Sequence, residues 1–133
     1  MPVIIDTNIA IQLRDGDTSA RDRLLARGER PTLSLVTVVE LEGGVYASPD
    51  LTDTRRSGVD RLLRRFPVLA LDQPVVGEYA AIVQALGFSR PRILDRLIAA
   101  TAIVHDLTLI TLNGAAFRDI PDLKLEVWPT AAQ

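Results

Sequence analysis

Short apolar runs alternate with longer segments of helical spacing along the whole chain, and this alternation restricts the fold more than any other feature. The runs are rich in β-branched residues and lack polar alternation, so each predicts a short strand buried on both faces. Strands that alternate with helices form a parallel sheet covered by helices on both sides. We therefore predict an α/β, three-layer fold with a central, mostly parallel sheet of four to five strands. The predicted strands are Val3–Ile5, Leu33–Val36, Val68–Leu71, Leu107–Thr111 and Leu125–Trp128.

Glycine and proline residues mark the expected ends of the helices. Gly28, Gly87, Pro67 and the pair Gly43-Gly44 each follow a segment of helical spacing. The length of 133 residues fits one domain, so we predict a single domain over residues 1–133. The predicted helices are Thr7–Leu13, Thr18–Arg27, Thr37–Val45, Asp50–Phe66, Val75–Leu86 and Ile93–Val104, of which the last is apolar on most faces and therefore central.

The composition excludes several kinds of site and setting. The chain has no cysteine, which excludes disulfides and thiolate metal sites. No basic segment precedes the apolar start, and no apolar run is long enough to span a membrane, so we expect a cytoplasmic protein. The net charge of −2 gives no overall attraction to nucleic acid. Fourteen of the fifteen basic residues are arginine, which suits phosphate contacts, although a genome-wide compositional bias explains this equally well.

Three carboxylates stand at conspicuous places in the pattern. Asp6 ends the first predicted strand, Glu40 lies in the first turn of the helix after the second strand, and Asp95 lies in the first turn of the central helix. Each has a structural interpretation: Asp6 as an N-cap, Glu40 with Thr37 as a capping box, and Asp95 as a complement to a helix dipole. Ligands of such folds bind beyond the carboxyl ends of the strands. All three acids project there if strands one, two and four are neighbours.

Taken together, the three acids favour a metal site. Clustered carboxylates repel one another and raise each other's pKa unless a cation lies between them. A site with oxygen ligands only suits Mg²⁺ or Mn²⁺. We therefore predict that Mg²⁺ or Mn²⁺ is the cofactor.

Four blocks of sequence, in order, carry a family resemblance. They are Val3-Ile-Ile-Asp-Thr-Asn8, Ser34-Leu-Val-Thr-Val-Val-Glu-Leu-Glu-Gly-Gly44, Asp95-Arg-Leu-Ile-Ala-Ala-Thr-Ala102 and Leu109-Ile-Thr-Leu-Asn-Gly-Ala-Ala-Phe117. With them the chain resembles PIN-domain ribonucleases, specifically VapC-type toxins of type II toxin–antitoxin systems, over most of its length. The resemblance implies a PIN-like fold and a metal-dependent endoribonuclease that hydrolyses RNA of the tRNA or rRNA class.

The resemblance also implies roles for individual residues. Asp6, Glu40 and Asp95 match the first three acids of the family, which are catalytic and hold the metal. Other polar residues of the four blocks support these acids. By their position beside the third acid, three flanking arginines are expected to contact RNA or to pair with the acids. The supporting residues are Thr7, Asn8, Thr111 and Asn113, and the predicted RNA contacts are Arg90, Arg92 and Arg96.

One position departs from the family pattern. The fourth block of the family reads Thr-x-Asn-x-x-Asp-Phe, and Ala116 takes the place of its Asp. Asp119 replaces that acid only if the loop is rearranged. We therefore expect one metal position rather than two. The alternative function is a catalytically weakened PIN domain that binds RNA or a partner without cleaving RNA.

The resemblance further implies partners. They are an RNA substrate, a cognate VapB-type antitoxin, and a second copy of the chain in a homodimer that forms a higher hetero-oligomer with the antitoxin. Contact with DNA is expected only through the antitoxin, and no membrane association is expected. Arginines crowd the segment Asp50–Phe66, and we expect this helix and its neighbours to form the walls of an antitoxin groove.

Overall fold

Five strands form one parallel sheet in the computed structural model, which describes residues 2–130. The strands are β1 (Val3–Ile5), β2 (Pro31–Ser34), β3 (Val68–Leu69), β4 (Thr108–Thr111) and β5 (Lys124–Val127). Their order is β3-β2-β1-β4-β5, and every pairing is parallel. Strands β1, β2 and β4 are therefore neighbours, as predicted, and their carboxyl ends meet at one edge of the sheet.

Six helices connect and cover the strands. They are α1 (Thr7–Arg14), α2 (Thr18–Arg27), α3 (Leu35–Ala47), α4 (Thr52–Arg65), α5 (Gln73–Leu86) and α6 (Ile93–Val104). Single 3₁₀ turns lie at Pro49–Leu51, Arg90–Arg92 and Gly114–Ala116. Among the described residues, every helix is too short or too polar to cross a membrane.

The central strand divides the interior into two apolar clusters. Val3 and Ile5 pack with α1, α2 and α4 on one face of the sheet. Ile4 packs on the other face with α5 and α6. This alternation produces a helix–sheet–helix arrangement, which confirms the predicted three-layer α/β fold. The predicted central position of α6 is also confirmed, because Ile98, Ala99 and the next three residues are buried.

The third helix begins earlier than predicted, and a serine is the reason. The side chain of Ser34 accepts a hydrogen bond from the backbone N–H of Val36 at 3.0 Å, so Ser34 is the N-cap and α3 starts at Leu35. The predicted capping box of Thr37 and Glu40 is therefore wrong. Glu40 lies in the second turn of α3 rather than in the first.

Glycines in α3 and α4 permit close packing against α1 instead of ending a helix. Helix α3 continues through Gly43 and Gly44 to Ala47, past the predicted end at Val45. A Cβ atom on Gly58 would lie 2.4 Å from the carbonyl oxygen of Arg14, so only glycine allows α4 to approach α1 this closely. Helix α1 is thereby fixed at its carboxyl end, while its amino end carries the first predicted acid.

Candidate active site

Asp6 connects three elements at the carboxyl edge of the sheet. It follows β1 and is only 5% exposed. Its Oδ1 accepts a hydrogen bond from the backbone N–H of Thr7 at 2.8 Å, which confirms the predicted N-cap role. Its Oδ2 accepts a hydrogen bond from Oγ1 of Thr111 at 2.7 Å, at the end of β4. The carboxylate is therefore oriented by both neighbouring elements.

The turn after β4 is tied to the same place by predicted supporting residues. The backbone N–H of Asn113 donates to Oγ1 of Thr111 at 3.0 Å, and Oδ1 of Asn8 accepts from the backbone N–H of Leu112 at 3.4 Å. Thr111 is fully buried, whereas the side chain of Asn113 is exposed. Asn113 thus contributes through its backbone N–H, which donates to Thr111. Thr111 in turn donates to Asp6.

Two threonines hold Glu40. Thr7 on α1 is a predicted supporting residue, whereas Thr37 on α3 is not among the predicted site residues. Oγ1 of Thr7 donates to Oε1 of Glu40 at 2.6 Å. Oγ1 of Thr37 lies 3.0 Å from Oγ1 of Thr7. Thr37 stands three residues before Glu40, on the same face of α3. The spacing of Thr37 and Glu40 is the signal for this contact in the sequence, but the same spacing also predicts a capping box.

The third acid, Asp95, interacts electrostatically with the other two acids. Asp95 is half-buried in the first turn of α6. Burial, and after it the negative charges of Asp6 and Glu40, raise the pKa of Asp95 to about 6, while the positive charge of Arg92 opposes this shift. Burial also raises the pKa of Asp6, against the hydrogen bonds from Thr111 and Thr7. Asp6 and Glu40 are thus each close enough to Asp95 to repel its carboxylate.

The three predicted RNA-contacting arginines have different surroundings. Arg96 is only 4% exposed, and its Nη1 donates to the carbonyl oxygen of Gly87 at 2.7 Å. It therefore holds α5 against α6 and is not available to RNA, contrary to the prediction. Arg90 is exposed. Arg92 is half-buried beside Asp95. Of these three arginines, it is the one whose positive charge lowers the pKa of Asp95.

The fourth family acid has no obvious replacement. Ala116 is 8% exposed and belongs to the apolar cluster around Phe117, and its carbonyl oxygen accepts a hydrogen bond from Nη1 of Arg92 at 3.3 Å. Asp119 is exposed, and it is not among the charges that shift the pKa of Asp95. Within residues 2–130, no three acidic or histidine side chains form a ready-made metal cluster. The site consists of Asp95, whose carboxylate is repelled by Asp6 and Glu40, and of the threonine hydroxyls that bond Glu40 and Asp6.

Comparisons with known proteins give the family of this chain. The profile of the PIN domain matches residues 3–123. The chain belongs to the PIN-domain family. Within it, the chain is similar to the proteins called VapC. It is 34% identical to Ribonuclease VapC10 of Mycobacterium tuberculosis over 92% of this chain and 90% of that protein. It is 30% identical to Ribonuclease VapC2 of Rickettsia felis over 96% of this chain and 98% of that protein.

Solved structures give the same family. VapBC2 from Rickettsia felis, crystallised with a DNA fragment from its promoter, includes a chain that superimposes with a TM-score of 0.80 at 27% identity, over 96% of this chain and 99% of that one. DNA-bound VapBC from Salmonella typhimurium gives a TM-score of 0.83 at 24% identity, over 96% and 98%. The five-stranded parallel sheet with its six helices is thus the PIN fold.

Replacement of Asp95 by Asn should stabilise this PIN domain at neutral pH when no divalent cation is present. The folded-state pKa of about 6 lies above the ordinary value of 3.8, so the charge destabilises the fold progressively as pH rises through this interval. Because solvent screens a half-buried carboxylate, we expect the free energy of unfolding to rise by about 1 kcal/mol well above pH 6. Below the ordinary pKa, where Asp95 is protonated in both states, the gain should vanish.

Urea unfolding in the presence of EDTA, at one pH above and one pH below this interval, measures the effect. Asp119→Asn removes an exposed carboxylate outside the group and should change stability equally little at both pH values. A gain from Asp95→Asn that is as large in acid as at neutral pH would contradict the repulsion.

Proposed function

We propose that this PIN domain is a metal-dependent endoribonuclease, the toxin of a VapBC-type toxin–antitoxin pair, acting on RNA of the tRNA or rRNA class. The observation that carries the proposal is the position of Asp6, Glu40 and Asp95 at the carboxyl edge of the sheet, where burial, and after it the charges of Asp6 and Glu40, raise the pKa of Asp95 to about 6. Repulsion of this kind destabilises a fold unless a cation offsets it. The names of the VapC relatives support the same activity.

The residues fit one Mg²⁺ or Mn²⁺ ion. The site offers carboxylate and hydroxyl oxygens, which are the ligands that these ions prefer, and Mg²⁺ usually binds one or two protein carboxylates and keeps several waters. A ready-made cluster of three ligands is therefore not required. Asp6, Glu40 and Asp95 would hold the ion. A second ion would lack the acid that Ala116 replaces, so we propose a single metal position in the absence of RNA.

Different side chains of the protein have different roles in phosphodiester hydrolysis. The bound ion would supply Lewis acidity and lower the pKa of a water molecule. Thr7 and Thr111 orient Glu40 and Asp6 through hydrogen bonds of 2.6 and 2.7 Å. The guanidinium of Arg92, beside Asp95, lowers the electrostatic cost of bringing a phosphate to three carboxylates. Arg90, exposed on the turn before α6, is placed to contact a neighbouring phosphate.

A groove at the far end of α1 is suited to the antitoxin. Two adjoining cavities of about 300 and 330 Å³ share Leu13, Arg21, Arg65 and Phe66. Helices α1 and α2 line them on one side, and the arginine-rich helix α4 lines them on the other. Helix α1 has eight residues, so the groove is about 10 Å from Thr7 along the helix axis.

The lining of this groove defines the chemistry of the segment that it binds. Its floor is apolar, and Leu25 beside it is 70% exposed. Arginines outnumber acids along the rim, so an amphipathic segment with acidic flanks is complementary. The rim arginines are Arg21, Arg30, Arg61 and Arg65, and the rim acids are Asp17 and Glu29. The solved neighbours are toxin–antitoxin complexes, which supports an antitoxin as the occupant. The homodimer stays a prediction.

Reversal of the charge at Arg65 should weaken antitoxin binding without affecting RNA cleavage. Arg65 lines both cavities, and Arg65→Glu would place a negative charge against the acidic flanks of the partner. We expect the Kd for a cognate VapB-type antitoxin to rise at least about tenfold, measured by calorimetry. Arg64→Glu is the matched control, since Arg64 is exposed on α4 but lines neither cavity. Equal losses for both variants would refute the groove.

Removal of any one acid should abolish RNA cleavage while the fold persists. Asp6→Asn, Glu40→Gln and Asp95→Asn each delete a metal-binding charge without changing side-chain shape, so we expect losses of at least about a hundredfold in cleavage rate. The measurement is cleavage of tRNA and of a single-stranded RNA with Mg²⁺, Mn²⁺ or EDTA. Asp119→Asn should cleave like the native chain.

The same experiment separates the two functions that the sequence left open. RNA binding without cleavage by the native chain, in both metals, would show that the chain is the weakened binding module. Native cleavage that survives both EDTA and the loss of Asp95 would refute the proposed site altogether.

A further inference from the structure

We propose that Thr37 is a positioning residue for Glu40 and that it acts through the hydroxyl of Thr7. The inference rests on the proposed function, because it assigns Glu40 to the reacting site. Thr37 is fully buried on α3, and its Oγ1 lies 3.0 Å from Oγ1 of Thr7. Thr7 Oγ1 in turn donates to Oε1 of Glu40 at 2.6 Å. The three side chains thus form one chain of hydrogen bonds between α1 and α3.

The direction of donation follows from the number of protons. An ionised carboxylate only accepts hydrogen bonds, so Thr7 donates its single hydroxyl proton to Glu40. Thr7 has no second proton to offer, and Thr37 must therefore be the donor in the contact between the two hydroxyls. Thr37 thereby keeps the proton of Thr7 directed at Glu40. Hydrogen bonds arranged in this way strengthen one another in a buried setting.

A second buried threonine differs from Thr37 in both its place in the helix and its hydrogen bond. Thr101 on α6 is also buried, and its Oγ1 donates to the carbonyl oxygen of Leu97, four residues earlier in the same helix, at 2.9 Å. That local bond is the usual solution for a threonine inside a helix. Thr37 lies in the first turn of α3, where the residue four positions earlier, Leu33, belongs to β2, and its hydroxyl reaches across to Thr7 on α1 instead.

The restraint matters because Glu40 stands among like charges. Asp95 repels its carboxylate, and a half-buried glutamate with three side-chain torsions can move away toward solvent. Among residues 2–130, the bond from Thr7 is the one hydrogen bond that holds Glu40. Thr37 therefore determines how firmly Glu40 is kept at the site, without itself touching substrate or metal.

Replacement of Thr37 by Val tests this role, because valine keeps the shape and removes the hydroxyl. We expect kcat for RNA cleavage to fall about tenfold and the Kd for Mn²⁺, measured by calorimetry without RNA, to rise about tenfold, with KM for RNA unchanged. Thr37→Ser keeps the hydroxyl and should restore both values to within about twofold. Thr101→Val removes a buried hydroxyl that bonds its own helix, and should change neither.

Thr7→Val breaks the same chain of hydrogen bonds from its half-buried end, and Thr37→Ala, which also lacks the hydroxyl, takes the place of Thr37→Val if that variant does not fold. Thr7→Val should reproduce the losses of kcat and of Mn²⁺ affinity. In the folded double variant the losses should not add, since Thr37 acts only through Thr7. Additive losses, a serine variant as impaired as the valine variant, or undiminished Mn²⁺ affinity in Thr7→Val would overturn the positioning role.

The two levels of proposal fail in different ways. A native chain that cleaves RNA and binds Mn²⁺, together with unchanged values in Thr37→Val, overturns the positioning role alone. A native chain that neither binds Mn²⁺ nor cleaves RNA overturns the proposed function, and the role of Thr37 with it.

Discussion

The burial of the Asp6 carboxylate at the end of the central strand is the constraint on which the rest of the site depends. A buried carboxylate is costly unless its oxygens accept hydrogen bonds, and here one oxygen accepts from the start of α1 and the other from Thr111 at the end of β4. The backbone N–H of Asp6 also donates to the carbonyl oxygen of Ile110 at 2.9 Å. The acid thus fixes the first helix, the central strand and its neighbour relative to one another.

Helix α1 has a different role at each of its two ends. Thr7 at its amino end holds Glu40 on α3. Arg14 at its carboxyl end packs against Gly58, and Leu13 lines the groove that suits an acidic, amphipathic partner. One short helix is therefore shared by the acid site and the groove. An antitoxin segment that shifts α1 would act on Asp6 and Glu40 together, because both are hydrogen-bonded to Thr7.

The sequence was sufficient for the fold class and for most elements, because both depend on local patterns, whereas the role of the three acids stays a prediction. Apolar runs that end in Asp6 and helices that begin near Asp95 are visible without coordinates. The start of α3 was not, because Ser34 and Thr37 are equally good caps by residue type, and only the hydrogen bond to Val36 distinguishes them. The burial of Arg96 and the contact of Thr37 with Thr7 were also beyond the sequence, since both depend on how two helices pack.

The central claim is that three carboxylates and a divalent cation hydrolyse RNA, and the chemical ends of the cleaved RNA test it most directly. The only histidine, His105, lies exposed at the carboxyl end of α6, so paired histidine chemistry is excluded. Metal-activated water should leave a 5′-phosphate and a 3′-hydroxyl, and EDTA should abolish these products. Products that carry a 2′,3′-cyclic phosphate and persist in EDTA would contradict the account.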